Sequence, residues 1–101
     1  MRLSDEQVRH IVNATHELAG HDAQVRLFGS RLNDGAKGGD IDLLVECAQP
    51  VARPVWLAAQ ITARLQRALG DRKIDVLVLD PATVLEPVHQ VARAEGVVLR
   101  A

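Results

Sequence analysis

Tyrosine is absent from the 101 residues, and Phe28 and Trp56 are the only large aromatic side chains. The core therefore has to be built from Leu, Val, Ile and Ala. Cys47 is the single cysteine, which excludes a disulfide within the chain. No apolar run approaches the 18 or so residues that a membrane span needs, and no basic-then-apolar leader opens the sequence. A soluble, cytoplasmic protein without membrane contact is the expectation. Twelve basic residues face thirteen acidic ones, for a formal net charge of -1. That balance lacks the basic excess of a general nucleic-acid binder, so no direct nucleic-acid contact is expected. Repeats, low-complexity tracts and linkers are missing as well. The length suits one small domain, residues 1–101, with a modest core and little left for a second lobe.

The residues that are present alternate between helix and strand. Ser4 with Gln7 three residues on reads as a capping box, and Val8, Ile11, Val12, Thr15, Leu18 and Ala19 share a helical face. They predict a first helix over about 5–19, stopped by Gly20. Gln24 to Phe28 is a short strand closed by Gly29. Residues 31–39, with Asn33, Asp34, Gly35, Gly38 and Gly39, form a loop. Asp40 to Glu46 is a second strand. Pro54 opens a second helix with a buried stripe of Leu57, Ile61, Leu65, Ala68 and Leu69, ended by Gly70. Lys73 to Leu79 is a third strand. Asp80-Pro81 reads as a helix start that Pro87 interrupts. A last helix is predicted over about 88–95, with Val97 to Leu99 as an edge strand. The pattern predicts an α/β fold, a small mixed sheet with helices packed on one side and the other face free for a site.

The chemistry lies in Phe28-Gly29-Ser30, nine intervening residues, Asp40-Ile41-Asp42, and the distal Asp75. Side chains at i and i+2 of a strand share a face, so Asp40 and Asp42 project together, about 7 Å apart. Ile41, Leu43 and Val45 then face the core, as do Ile74, Val76 and Val78, leaving Asp75 on the opposite side. If the two strands are neighbours, three carboxylates converge. Such carboxylates repel one another, and a cation relieves the repulsion. Hard oxygen donors suit Mg²⁺, and two ions can assist an in-line displacement at phosphorus. Asp75 is also a candidate base toward an attacking hydroxyl. Gly29 permits close backbone approach to a phosphate, and the Ser30 hydroxyl with the turn after it can cradle triphosphate oxygens. Arg31 and Lys37 in the same loop are candidates for neutralising phosphate charge.

This pattern resembles the signature of the polymerase β-type nucleotidyltransferase superfamily, and the short chain is similar to its minimal nucleotidyltransferases, the MNT proteins. The likeness spans about residues 25–79. It implies a nucleotidyltransferase that moves AMP from ATP, or another nucleoside monophosphate, onto an acceptor. Asp40 and Asp42 would hold two Mg²⁺ ions, with Mn²⁺ as the other choice, Asp75 would complete the second metal site, and Ser30 would contact the triphosphate. Proteins of this kind commonly pair with a HEPN-domain protein in toxin–antitoxin systems and neutralise it by adding AMP to a tyrosine. With no tyrosine of its own, this chain cannot be its own acceptor in that way. Gly38-Gly39 departs from the polar residue that relatives often carry there, which implies a looser loop.

Two further readings compete. One is a binding module that masks a HEPN partner by contact alone. The other is a transferase acting on a small molecule, similar to those that modify aminoglycosides, for which the 20 or so residues after the third strand leave little acceptor wall. Elsewhere the signals are ordinary. His10, His16, His21 and His89 have no metal spacing and read as surface residues. Cys47 reads as a core or half-buried thiol, Trp56 as core with a partner contact as the alternative, and Glu46 as peripheral to the site.

Overall fold

The computed structural model describes residues 3–29, 40–70 and 72–100. Helix α1 spans Asp5–Ala19 and starts where the capping box predicts: the Gln7 amide donates to the Ser4 hydroxyl at 3.1 Å, and the Ser4 amide donates to the Gln7 side chain at 2.9 Å. Its inward face carries Val8, Ile11 and Val12. Thr15 is also fully buried, and its hydroxyl is satisfied by donation to the Ile11 carbonyl at 2.8 Å. Strand β1 is Gln24–Phe28, β2 is Ile41–Glu46, and β3 is Ile74–Leu79. Helix α2, Pro54–Leu69, begins on its proline and buries Leu57, Ile61 and Leu65, while Ala68 is exposed and outside the stripe expected for it. Helix α3 is Pro87–Glu95 and β4 is Val97–Val98.

The four strands form one mixed sheet in the order β3-β2-β1-β4. β1 is antiparallel to both β2 and β4, whereas β2 and β3 run parallel. Ile41, Leu43 and Val45 of β2 join Val25, Leu27 and Ile74 in a cluster with α1 and α2. These two helices therefore cover one face, as expected. Helix α3 adds partial cover to the other face, where Ala92 meets Leu44 and Leu79, flanked by Phe28 and Leu77. Glu46 fixes it there. The Glu46 carboxylate accepts from Arg26 Nε at 2.7 Å and from Arg93 of α3 at 3.1 Å.

Two expectations fail locally. Asp80-Pro81 starts no helix. Instead the Asp80 carboxylate accepts from the Val51 amide at 2.6 Å and from the Ala82 amide and Thr83 hydroxyl, holding a turn against the segment before α2. Trp56 is not core. It is 54% exposed because it stands one residue off the Leu57 stripe in the first turn, and the Arg53 guanidinium lies 5.2 Å from its ring centroid.

The Asp80 tie has a pH signature. The Val51 amide first, then Thr83 and the turn amides, hold the Asp80 carboxyl below the usual carboxylate range against a smaller opposing effect of burial. Its stabilisation is complete above the unfolded-state value and lost as pH falls through the lower folded-state value. Asp80→Asn is therefore expected to flatten the acid limb of the melting temperature plotted against pH, with neutral and acid melts converging.

Candidate functional site

Strand register brings two of the carboxylates together. Asp42 and Asp75 are direct partners across the parallel β2–β3 pair, on the face opposite α1 and α2. They are within hydrogen-bonding reach of each other. Asp40 lies immediately before β2, exposed, and its charge reaches Asp42. The Asp42 carboxyl is pushed above the usual carboxylate range by burial first, then by the charges of Asp75 and Asp40 and by the hydrogen bond with Asp75; Lys73 partly offsets this. Lys73 Nζ is 4.0 Å from Asp75 Oδ2. Sequence reasoning misses this lysine because it stands at the strand border. Its signal is the two-residue spacing that gives it the face of Asp75.

The structure also explains Gly29. It lies directly after β1 with φ +78°, in the left-handed region, beside the strand pair Phe28–Asp42. A Cβ built there would lie 2.3 Å from Asp42 Oδ2. Only glycine lets the chain turn this close to the carboxylate. Ser30, Arg31 and Lys37, expected to hold the triphosphate, lie outside the described residues.

The donors present fit a hard divalent cation. Asp42 and Asp75 pair with a third acidic charge, that of Asp40, beside them, which gathers the oxygen donors such a cation takes, and Lys73, 67% exposed, only partly offsets the effect on Asp42. Among the described residues no three His, Cys, Asp or Glu side chains form a ready ligand cluster. Cys47 is buried and its thiol is pushed up, by burial first and then by the charge of Asp80, which makes it a poor nucleophile at neutral pH. No helix among the described residues is long and apolar enough to cross a membrane.

A sequence model of the family described as "Nucleotidyltransferase domain" matches residues 8–95, from within α1 to the end of α3. No curated protein matches the chain.

Proposed function

We propose that this chain, which belongs to the nucleotidyltransferase domain family, acts as a single minimal domain that moves AMP from ATP onto a hydroxyl of a separate protein. The observation that carries the reading is the register pairing of Asp42 with Asp75 beside Gly29. The acceptor oxygen attacks the α-phosphorus, a new P–O bond forms, the bond to the bridging oxygen breaks, and pyrophosphate leaves. The hydroxyl proton passes to the Asp75 carboxylate, which is half exposed and open to an incoming group. Asp40, Asp42 and Asp75 would hold Mg²⁺, or Mn²⁺. When bound, the metal supplies positive charge to the phosphate oxygens and the departing pyrophosphate. Gly29 and Ser30 cradle the triphosphate, with Arg31 and Lys37 offsetting its charge.

The acceptor we propose is a HEPN-domain protein, which the transfer inactivates. Masking by contact is a second reading, favoured by the exposed apolar side chains of Val84, Val88 and Val91 in and before α3. Incubation with α-³²P-ATP and Mg²⁺, with and without a HEPN-domain protein encoded beside this chain, separates the two. Label on that protein, lost with Asp42→Ala, is the expected result. A stable complex without label, still neutralised by the Asp40→Ala/Asp42→Ala variant, selects masking.

A further inference from the structure

The strand that carries Asp75 is also an edge of the sheet: among the described residues β3 pairs only with β2. Two bonds outside the ladder fix which groups are left over. Ile41 N–H donates to the Lys73 carbonyl at 2.9 Å, and Cys47 N–H donates to the Leu79 carbonyl at 2.8 Å. In a parallel pair, alternate residues turn both backbone groups to the same neighbour. Lys73, Asp75, Leu77 and Leu79 therefore face β2, and Ile74, Val76 and Val78 turn their N–H and C=O groups to the free edge.

Natural edges of this kind are usually blunted by proline, lysine, a bulge or shortness. β3 has six residues, Ile-Asp-Val-Leu-Val-Leu, with no proline and no lysine, and its register with β2 runs unbroken from Ile74 to Leu79. Its single charge, Asp75, sits on a face of the sheet and not along the edge.

The two ends of this edge differ in chemistry. Asp75 stands near the beginning. At the end, on the same face, Leu79 opens a cavity of about 320 Å³ walled also by Leu85, with Glu46, Asp80, Thr83 and Arg93 at its polar side. Leu79 lies four positions after Asp75, about 13 Å along the strand. A single sugar or amino acid does not span that distance, whereas an extended segment of five residues does. Four is also an even number, so a strand paired with β3 that presents a hydroxyl beside Asp75 presents its fourth neighbour on the same face, beside Leu79.

We propose that the free edge of β3 takes the acceptor as an added strand: an extended polypeptide whose hydroxyl residue lies at Asp75 and whose apolar side chain, four positions away, fills the cavity at Leu79 and Leu85. The inference rests on the transferase reading given above and adds to it the form of the acceptor and the place where it docks. Main-chain hydrogen bonds to Ile74, Val76 and Val78 supply the binding, and the cavity supplies the selection, as in other strand-addition recognition.

The test uses the intact protein, α-³²P-ATP, Mg²⁺ and thirteen-residue peptides, each with one central tyrosine or serine and one leucine placed two to six positions from it on either side. Labelling is expected to peak at a spacing of four on one side, about tenfold above spacings of three and five, the scale of burying one leucine. N-methylation along the best peptide is expected to abolish labelling at alternate residues only. A flat spacing profile, or free tyrosine or serine labelled as well as the peptides, overturns the docking mode. So does a dimer of this chain that already protects the Ile74, Val76 and Val78 amides from hydrogen exchange, which gives the edge to a second copy. Metal-dependent pyrophosphate release with water as acceptor, lost with Asp42→Ala, reports on the transferase reading separately. If that release persists while peptides are unlabelled, the edge proposal alone falls; if no triphosphate is turned over at all, both fall.

Discussion

Asp42→Asn is expected to cut nucleotidyl transfer severely and, without divalent metal, to raise the melting temperature. Both effects have one cause. Asp42 is drawn out of water and set against the charges of Asp75 and Asp40, and these push its carboxyl above the usual carboxylate range. At neutral pH the folded protein therefore holds a negative charge that the unfolded chain holds more comfortably. Asparagine keeps the shape and removes the charge. Solvent reaches the pair, so the gain is on the order of 1 kcal/mol or less, a rise of a few degrees in a domain of this size. The penalty is full above the raised folded-state value. It is relieved as pH falls through that value toward the unfolded one, because the carboxyl then protonates in the folded state first. The melting advantage of Asp42→Asn should accordingly shrink to nothing as the buffer is taken from pH 7 toward acid. Mg²⁺ should stabilise the native protein and not the variant. Transfer, by contrast, is expected to drop by about 10²-fold or more, the scale for losing one charge that acts on the transition state. A variant that melts lower than the native protein at neutral pH, with or without metal, would show that the carboxylates are already compensated and that the pairing with Asp75 is structural.

The elements that position these groups are largely readable in the residues. The Ser4–Gln7 box and Gly20 delimit α1, Pro54 and Gly70 delimit α2, and the alternation of Ile41, Leu43 and Val45 with Asp42 and Glu46 gives β2 and its two faces. Period-two patterning also puts Asp75 on the face opposite Ile74, Val76 and Val78, which the packing bears out. Register is a different matter. A slip by two residues keeps every side chain on its face, so no pattern in the sequence distinguishes Asp42 opposite Asp75 from Asp42 opposite Leu77 or Lys73. The pairing is set by the helices and by backbone bonds at both strand ends. Tertiary ties are equally hidden: Asp80 looks like a helix cap locally, yet its partner, the Val51 amide, is 29 residues away. The place of α3 depends on Glu46, which reads as peripheral and turns out to hold two arginines.

Gly29 offers the second large effect, and it separates conformation from contact. Gly29→Ala is expected to lower both stability and transfer although every carboxylate remains in the chain. Part of the cost is backbone: at φ +78° an L side chain is strained by about 1–2 kcal/mol. The rest is contact, because the new Cβ meets Asp42 Oδ2 at 2.3 Å and the carboxylate has to leave its present position. With the carboxylate removed, the nearest remaining Asp42 atom is its own Cβ at 3.4 Å, an ordinary distance. On an Asp42→Ala background, then, Gly29→Ala should cost only the backbone strain. The two substitutions are therefore expected to be non-additive by roughly 0.5–3 kcal/mol in a double-mutant cycle, read by urea unfolding. Equal costs of Gly29→Ala on the two backgrounds would mean that Asp42 yields freely and that glycine serves the turn alone. Unequal costs would mean that glycine at this position also guards the carboxylate's orientation. The loss of transfer in Gly29→Ala would then come from displacing one oxygen, with no acidic residue touched.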